Sequence, residues 1–209
     1  MTFYFVRHGE TDWNVQKKIQ GTTDVPLNEK GLQQARELAK KLVSEEYKID
    51  CVYTSPQIRA QATARMVAAI FGSLCKVLPD LSEMDFGKWE GDNWPNIEIV
   101  YGEIYYHWNS HRRYVHTPEG ECYNDVLGRT FRALEHIIHH ENGNVLVVSH
   151  SAIIMSLRCY LAGLCIDDES MLAFRTDNAE VVAVEAEEIK RAIERFAEEE
   201  TLINNIKPE

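Results

Sequence analysis

In the stretch Phe3-Tyr4-Phe5-Val6-Arg7-His8-Gly9-Glu10-Thr11, four aromatic and β-branched residues run directly into five polar or small ones. The apolar run reads as a buried strand, so the pentapeptide Arg7 to Thr11 falls where that strand ends and the chain turns. Open α/β sheets carry their chemistry at such strand ends. A guanidinium, an imidazole, a glycine that permits close approach of backbone to a ligand, and a hydroxyl suit an oxyanion such as phosphate. Taken alone, the same five residues also fit a surface turn with an incidental histidine.

Working outward, Asp12 to Leu27 is polar, carries Gly21 and Pro26, and has no sustained period, which predicts a loop over the strand ends. Asn28 offers an N-cap to a helix with Leu32, Ala35, Leu38, Ala39, Leu42 and Val43 at helical spacing, ending near Tyr47. Cys51-Val52-Tyr53 predicts a short second strand. Ser55-Pro56 reads as a capping serine with proline at the first helical position of a helix from Pro56 to about Phe71. Arg59 then lies in a first turn, where the helix dipole disfavours a cation, so either a tertiary carboxylate or a bound anion is expected opposite it.

Val77-Leu78 predicts another short strand. From Pro79 to about Pro118 the chain turns aromatic and irregular and holds Trp89, Trp94 and Trp108, three of its four tryptophans. This segment, about residues 80–120, is expected as a lid-like insertion whose tryptophans form its core. Val126, Phe131, Leu134, Ile137 and Ile138 give an amphipathic helix from Glu121 to His140, closed by Gly143. Asn144 to Val148 reads as a central parallel strand ending in Ser149-His150, and the helix after it carries Ile153, Ile154, Leu157 and Leu161. Leu172 to Thr176 and Val181 to Glu185 are expected as antiparallel or edge strands, and Glu187 to Glu199 as a closing helix. The fold class is therefore α/β, a three-layer sandwich with a mainly parallel sheet, helices on both faces and a small lid insertion, with residues 1–209 as one domain.

At 209 residues and 44% apolar composition, the chain can bury a proper core. Its net charge of −11, from 33 acidic against 22 basic residues, opposes non-specific binding to nucleic acid or anionic membranes. Any anion site is then a local concentration of arginines against a repelling background. The longest strongly apolar stretch, Val145 to Met155, is too short to span a bilayer, and no basic region followed by an apolar one marks a leader. Cysteines 51, 75, 122, 159 and 165 are odd in number and lack a Cys-x-x-Cys pair, which argues for reduced thiols in a cytoplasmic protein. The expected partner is a small phosphorylated metabolite, with no nucleic acid and no membrane, and the expected state is a monomer or homodimer.

Arg7 with His8, Arg59, and His150 sit at three separate strand-to-helix junctions. Parallel strands point their C-terminal ends the same way, so these groups are expected to meet on one face. Two arginines and two histidines converging on one crevice of an acidic protein form an anion site unless several buried carboxylates neutralise them.

These residues resemble the histidine phosphatase superfamily, which includes the cofactor-dependent phosphoglycerate mutases. The likeness is carried by Arg7-His8-Gly9-Glu10-Thr11, Asn14, Gln20-Gly21 and Asp24-Val25-Pro26-Leu27-Asn28-Glu29-Lys30-Gly31. It continues through Thr54-Ser55-Pro56 with Arg59-Ala60 and Thr63-Ala64, Leu81 to Gly91, Pro118-Glu119-Gly120-Glu121 and Val148-Ser149-His150, in the family's order. The resemblance implies that His8 is the nucleophile, forming a phosphohistidine. It implies that Arg7, Arg59 and His150 cradle the phosphoryl oxygens, and that Glu83 is the general acid and base. Asn14, Gln20, Gly21, Thr22 and Ser151 match positions around the substrate, with Gly21 able to present backbone N–H groups to an anion. No metal is required.

The implied activity is hydrolysis of a phosphomonoester. The competing readings are a phosphoglycerate mutase, with 2,3-bisphosphoglycerate as its cofactor, and a non-catalytic phosphate-binding module. Mutases of the family generally carry extra lid and C-terminal segments, and a mere binder has no use for Glu83, so hydrolysis is the expectation. The chain departs from the family in having Ser151 where glycine is common, Cys122 where serine is common, and Gln61-Ala62 in altered order. His136, His139 and His140 share a helix face at metal-binding spacing, but a solvated face explains them better. Arg112-Arg113 reads either as a substrate-binding pair in the lid or as an exposed basic turn.

Overall fold

In the computed structural model, which describes residues 1–167 and 169–206, one five-stranded sheet runs through the molecule. Its strands are β1 (Thr2–Arg7), β2 (Cys51–Thr54), β3 (Cys75–Val77), β4 (Val145–Ser149) and β5 (Val181–Glu185), in the order β3-β2-β4-β1-β5. The first four are parallel, and β5 is antiparallel to β1. β1 and β4 pair in the register Phe3 with Val145 through Arg7 with Ser149. The residues that follow, His8 and His150, therefore leave the sheet side by side.

Side chains alternate across a strand, and the two faces bury different sets. Phe3, Phe5, Tyr53, Val145 and Val147 pack in one core with α5 (Tyr123–His140), α6 (Ser151–Leu161) and α7 (Ala186–Ile206). Val6, Val52, Leu146 and Val148 pack in the other with α2 (Glu29–Ser44) and α3 (Ile58–Phe71). This is the expected three-layer sandwich. Each such buried aliphatic or aromatic side chain is worth about 1.5–3 kcal/mol, which is why the apolar periods located most of these elements.

Three expectations are corrected. Leu172 to Thr176 is not a strand; Glu169–Phe174 forms a 3₁₀ helix. β1 already has β4 on one side and β5 on the other, so no place beside it remains. Ser55 does not cap a helix beginning at Pro56. α3 starts at Ile58 after Gln57, and its first N–H is satisfied by Asp24 Oδ1 at 2.8 Å, from the long loop. That loop also contains a short helix, α1 (Asp12–Val15), capped by Thr11 and Asn14 in reciprocal hydrogen bonds.

Between β3 and α5 the chain forms α4 (Trp94–Ser110), kinked at Gly102, where φ is 39° and ψ −109°. Trp89, fully buried, contacts Trp94, Tyr101, Tyr105 and Trp108 edge-on or tilted. Trp89, Trp94 and Trp108 thus pack on one another. Among the described residues no helix is long and apolar enough to cross a membrane.

Candidate active site

At the C-terminal ends of β1, β2 and β4 lies a cleft of about 510 Å³ whose wall includes Arg7, His8, Arg59 and Glu83. His8 is 2% exposed, and its Nδ1 lies 2.7 Å from the Gly9 carbonyl oxygen. A carbonyl only accepts, so Nδ1 carries the proton and Nε2 keeps the lone pair. Burial, then the Arg59 and Arg7 charges, hold this imidazole well below its ordinary pKa. The ring is neutral.

Its backbone is fixed as firmly. The His8 N–H donates to Ser149 O at 3.1 Å, and the His8 carbonyl accepts from Asn178 Nδ2 at 2.7 Å. Gly9 serves a different purpose from the expected one. A Cβ there would lie 2.5 Å from the Gly31 carbonyl oxygen, and a Cβ on Gly31 would lie 2.0 Å from that of Glu10. The two glycines let the turn after β1 pack closely against the start of α2. Thr11 also departs from expectation. Fully buried, it caps α1, and its hydroxyl faces Asn14 Oδ1 at 3.1 Å and Gln20 Oε1 at 3.0 Å, so it is spent inside the loop.

Arg59 is fully buried, with NH1 donating to Thr23 O at 2.8 Å and NH2 to Gly21 O at 2.7 Å. Arg7 NH1 donates to Thr176 O at 2.8 Å. The Nε atoms of both are buried without a protein partner. Among the described residues neither arginine forms an ion pair. Of the two alternatives for Arg59, the tertiary carboxylate in contact is absent. A fully buried guanidinium beside a half-buried one, neither in an ion pair, is costly unless an anion joins them.

His150 is also fully buried, and its ring centroid lies 5.2 Å from that of His8. Its Nε2 is 2.6 Å from Ser55 Oγ and 3.0 Å from Gln57 Oε1, while Nδ1 is buried without a partner. The polar residues preceding α3 are therefore recruited by His150, which is why Ser55 does not cap the helix. Burial and the Arg59 and His8 groups push the His150 pKa well down, so this ring too is neutral.

Glu83 is 8% exposed, with Oε1 accepting from the Met84 N–H at 2.9 Å and Oε2 from the Ala152 N–H at 3.4 Å. Burial raises its pKa against the opposing pull of the Met84 N–H, Arg59, the Ala152 N–H and Arg7. The loop that carries it hangs on a residue the sequence reading missed. Arg129, from α5, donates to the carbonyls of Asp80, Ser82 and Glu83 and grips Glu121 through Nε at 2.8 Å and NH2 at 2.9 Å. Glu121 Oε2 also accepts from the Asp85 N–H. An arginine inside an amphipathic helix gives no local signal of such a role.

Of the expected substrate residues, Asn14, Gln20, Gly21 and Ser151 line the cleft. Gly21 has φ +52°, and a Cβ on it would strike the Glu90 carboxylate at 1.8 Å. Thr22 is exposed and lies outside the cleft wall, its N–H and hydroxyl both taken by Glu90 Oε1. Arg112 folds onto Asn109 and Trp108, and Arg113 pairs with Glu199, so neither forms an exposed basic turn or joins the cleft. His139 and His140 bond backbone carbonyls through Nδ1. His116, Cys122 and Asp125 do bring ligand atoms within 4.8 Å of one another, away from the cleft wall. Cys122 there takes the N-cap position of α5, and burial pushes its thiol up to about 11.

Fold and site together define an α/β protein with a cationic pocket at parallel strand ends, whose wall holds a neutral imidazole and a carboxyl with a raised pKa. The chain belongs to the histidine phosphatase superfamily (branch 1), whose family model matches residues 3–199. It is 40% identical to phosphoglycerate mutase-like protein 4 of Arabidopsis thaliana over 156 residues, 73% of this chain and 67% of that protein. It is 31% identical to phosphoserine phosphatase 1 of Hydrogenobacter thermophilus over 189 residues, 90% of this chain and 88% of that one. The crystal structure of the alpha-ribazole phosphatase from Shigella flexneri superposes with a TM-score of 0.77 at 30% identity, covering 88% and 90% of the two chains.

Proposed function

We propose that this chain hydrolyses the phosphomonoester of a small metabolite through a phosphohistidine on His8. The observation that carries the reading is a buried imidazole, kept neutral and proton-locked at Nδ1, in one cleft wall with a buried Arg59 and a half-buried Arg7, neither of which is in an ion pair among the described residues. The phosphatase names of the relatives point the same way.

In the first half-reaction the Nε2 lone pair attacks phosphorus, the ester P–O bond breaks, and the leaving oxygen takes the proton of Glu83. In the second, water attacks the phosphohistidine and gives a proton to the Glu83 carboxylate, the P–N bond breaks, and Nε2 regains its lone pair. Arg7 and Arg59 hold the equatorial oxygens, where a guanidinium fork matches two oxygens at once. His150 completes the phosphate cage, and Asn14, Gln20, Gly21 and Ser151 frame it. No step calls on a metal ion. The reduced thiols and acidic surface suit a cytoplasmic setting.

The name of the Arabidopsis relative keeps a mutase, using 2,3-bisphosphoglycerate, as the second reading. Against it, the lid arginines that would hold a mutase substrate are engaged elsewhere, Arg112 with Asn109 and Arg113 with Glu199. Glu83→Gln tests the assignment of the proton. Its kcat/KM, which reports the first half-reaction alone, is expected to fall about 10²-fold or more on an alkyl phosphate such as O-phosphoserine, against less than about tenfold on p-nitrophenyl phosphate, whose leaving group needs no proton. Equal losses on both substrates would remove Glu83 from the acid role.

A further inference from the structure

Beyond the phosphoryl pocket, the cleft wall carries three more cations, Lys17, Lys18 and Arg175. Among the described residues none of the three has an ion pair or a side-chain hydrogen bond. Lys18 has only the Trp13 ring, at 5.4 Å. The chain has 33 acidic residues against 22 basic ones, yet these three cations share one opening with Arg7 and Arg59.

The backbone holds them in place. Arg175 follows the 3₁₀ turn Glu169–Phe174, and the carbonyls on either side of it are pinned: Phe174 O accepts from Arg158, and Thr176 O from Arg7. The same Arg7 that faces the phosphoryl pocket thus positions the residue at its rim. Lys17 sits in a left-handed turn with φ 57°, and its loop is tied to the opposite wall by Ile19 N–H to Asp92 O at 2.7 Å and Gly91 N–H to Ile19 O at 2.8 Å. Apolar side chains, Phe86, Trp94 and Met155, line the same cleft.

We infer that the physiological substrate carries a second anionic group, a carboxylate or a second phosphate, which Arg175 binds with Lys17 and Lys18 while the phosphoryl group sits on Arg7 and Arg59. This rests on the phosphatase reading and narrows it. Neutral phosphomonoesters, such as those of plain alcohols or uncharged sugars, are the disfavoured class. Because the three cations are exposed or partly so, their attraction is screened by salt. Because they lie away from the reacting phosphorus, they act on binding of substrate and transition state alike, and so on KM more than on kcat.

Steady-state kinetics on matched pairs tests this in the native protein. O-Phosphoserine is compared with O-phosphoethanolamine and 3-phosphoglycerate with glycerol 3-phosphate for the carboxylate; glucose 1,6-bisphosphate is compared with glucose 6-phosphate for the second phosphate. The native protein is expected to favour the doubly anionic member of one pair in kcat/KM by about tenfold or more, with a KM that rises with ionic strength. Arg175→Ala is expected to cut that preference at least about fivefold, chiefly through KM, and Arg175→Glu to abolish it. Arg191→Ala, a change of cation on α7 away from the cleft wall, serves as the control and leaves the preference intact. Native protein that turns over p-nitrophenyl phosphate yet shows no preference in any pair overturns the inference and leaves the phosphatase reading standing. An undiminished preference in Arg175→Glu overturns it too. Native protein that releases phosphate from no substrate removes both.

Discussion

A histidine in water is partly protonated near neutrality, and protonation removes the lone pair that attacks phosphorus. Around His8, burial and two guanidiniums remove that difficulty, while the Gly9 carbonyl decides which nitrogen is left to react. Glu83 is tuned in the opposite direction, burial keeping its proton above the ordinary carboxylate range. The two shifts fix the shape of the pH profile. kcat/KM falls on the acid side only below the ordinary imidazole range, where His8 gains a proton, and on the alkaline side where Glu83 loses its own. Profiles of native protein and Glu83→Gln on one alkyl phosphate cancel the titration of the substrate; the alkaline limb disappears in the variant, and its persistence would mean another group carries the proton. At this scale Arg7, His8, Arg59 and His150 were legible as polar groups at strand ends beside apolar runs, whereas Glu83 came only from the family resemblance; Arg7, His8, Arg59 and Glu83 share one cleft wall, and the His150 ring lies 5.2 Å from that of His8. The sequence misread Thr11, Gly9 and Ser55, whose tasks depend on partners far along the chain: Gln20, Gly31 and His150.

The elements found from sequence are those with a period to read. β1, β4, α2 and α5 bury continuous or helically spaced apolar sets and were placed to within a few residues. The 3₁₀ turn Glu169–Phe174 has no such period, and the competition for the edge of β1 that excludes it from the sheet is invisible locally. The loop bearing Glu83 is held by α5 rather than by its own sequence. Arg129, with its side chain 10% exposed, ties three carbonyls of that loop to Glu121. Arg129→Met leaves Glu121 without its partner and those carbonyls without donors, at a cost near the low end for a broken buried pair, about 3 kcal/mol. For a chain of this size that lowers Tm by roughly 6–12 °C. The same variant loses more activity on alkyl than on nitrophenyl esters, since Glu83 is displaced. Unchanged melting would show that the loop holds itself.

Over the whole molecule, the cleft is assembled from stretches far apart in sequence: the β1 end, α1 and the loop after it, the first turn of α3 with Arg59, the segment around Glu83, the starts of α4, α5 and α6, and the turn before β5. The sequence made their meeting legible through one topological fact, that parallel strands end on the same side, and the register of Arg7 with Ser149 realises it. The mouth of the cleft was not legible, because Arg175 lies in a segment that read as a strand, and Arg112 and Arg113, which drew notice instead, are engaged by Asn109 and Glu199. An overall charge of −11 with Lys17, Lys18 and Arg175 at one opening suits a cleft that draws anions. The central claim, a phosphoryl group carried covalently by His8, is tested most directly by quenching the protein during turnover of a radiolabelled phosphomonoester and mapping the label. The account predicts an acid-labile, alkali-stable phosphoryl group on the peptide containing His8, formed within the first turnover and absent from His8→Ala, which no longer releases phosphate. Undiminished phosphate release by His8→Ala, or label on any other residue, would contradict it.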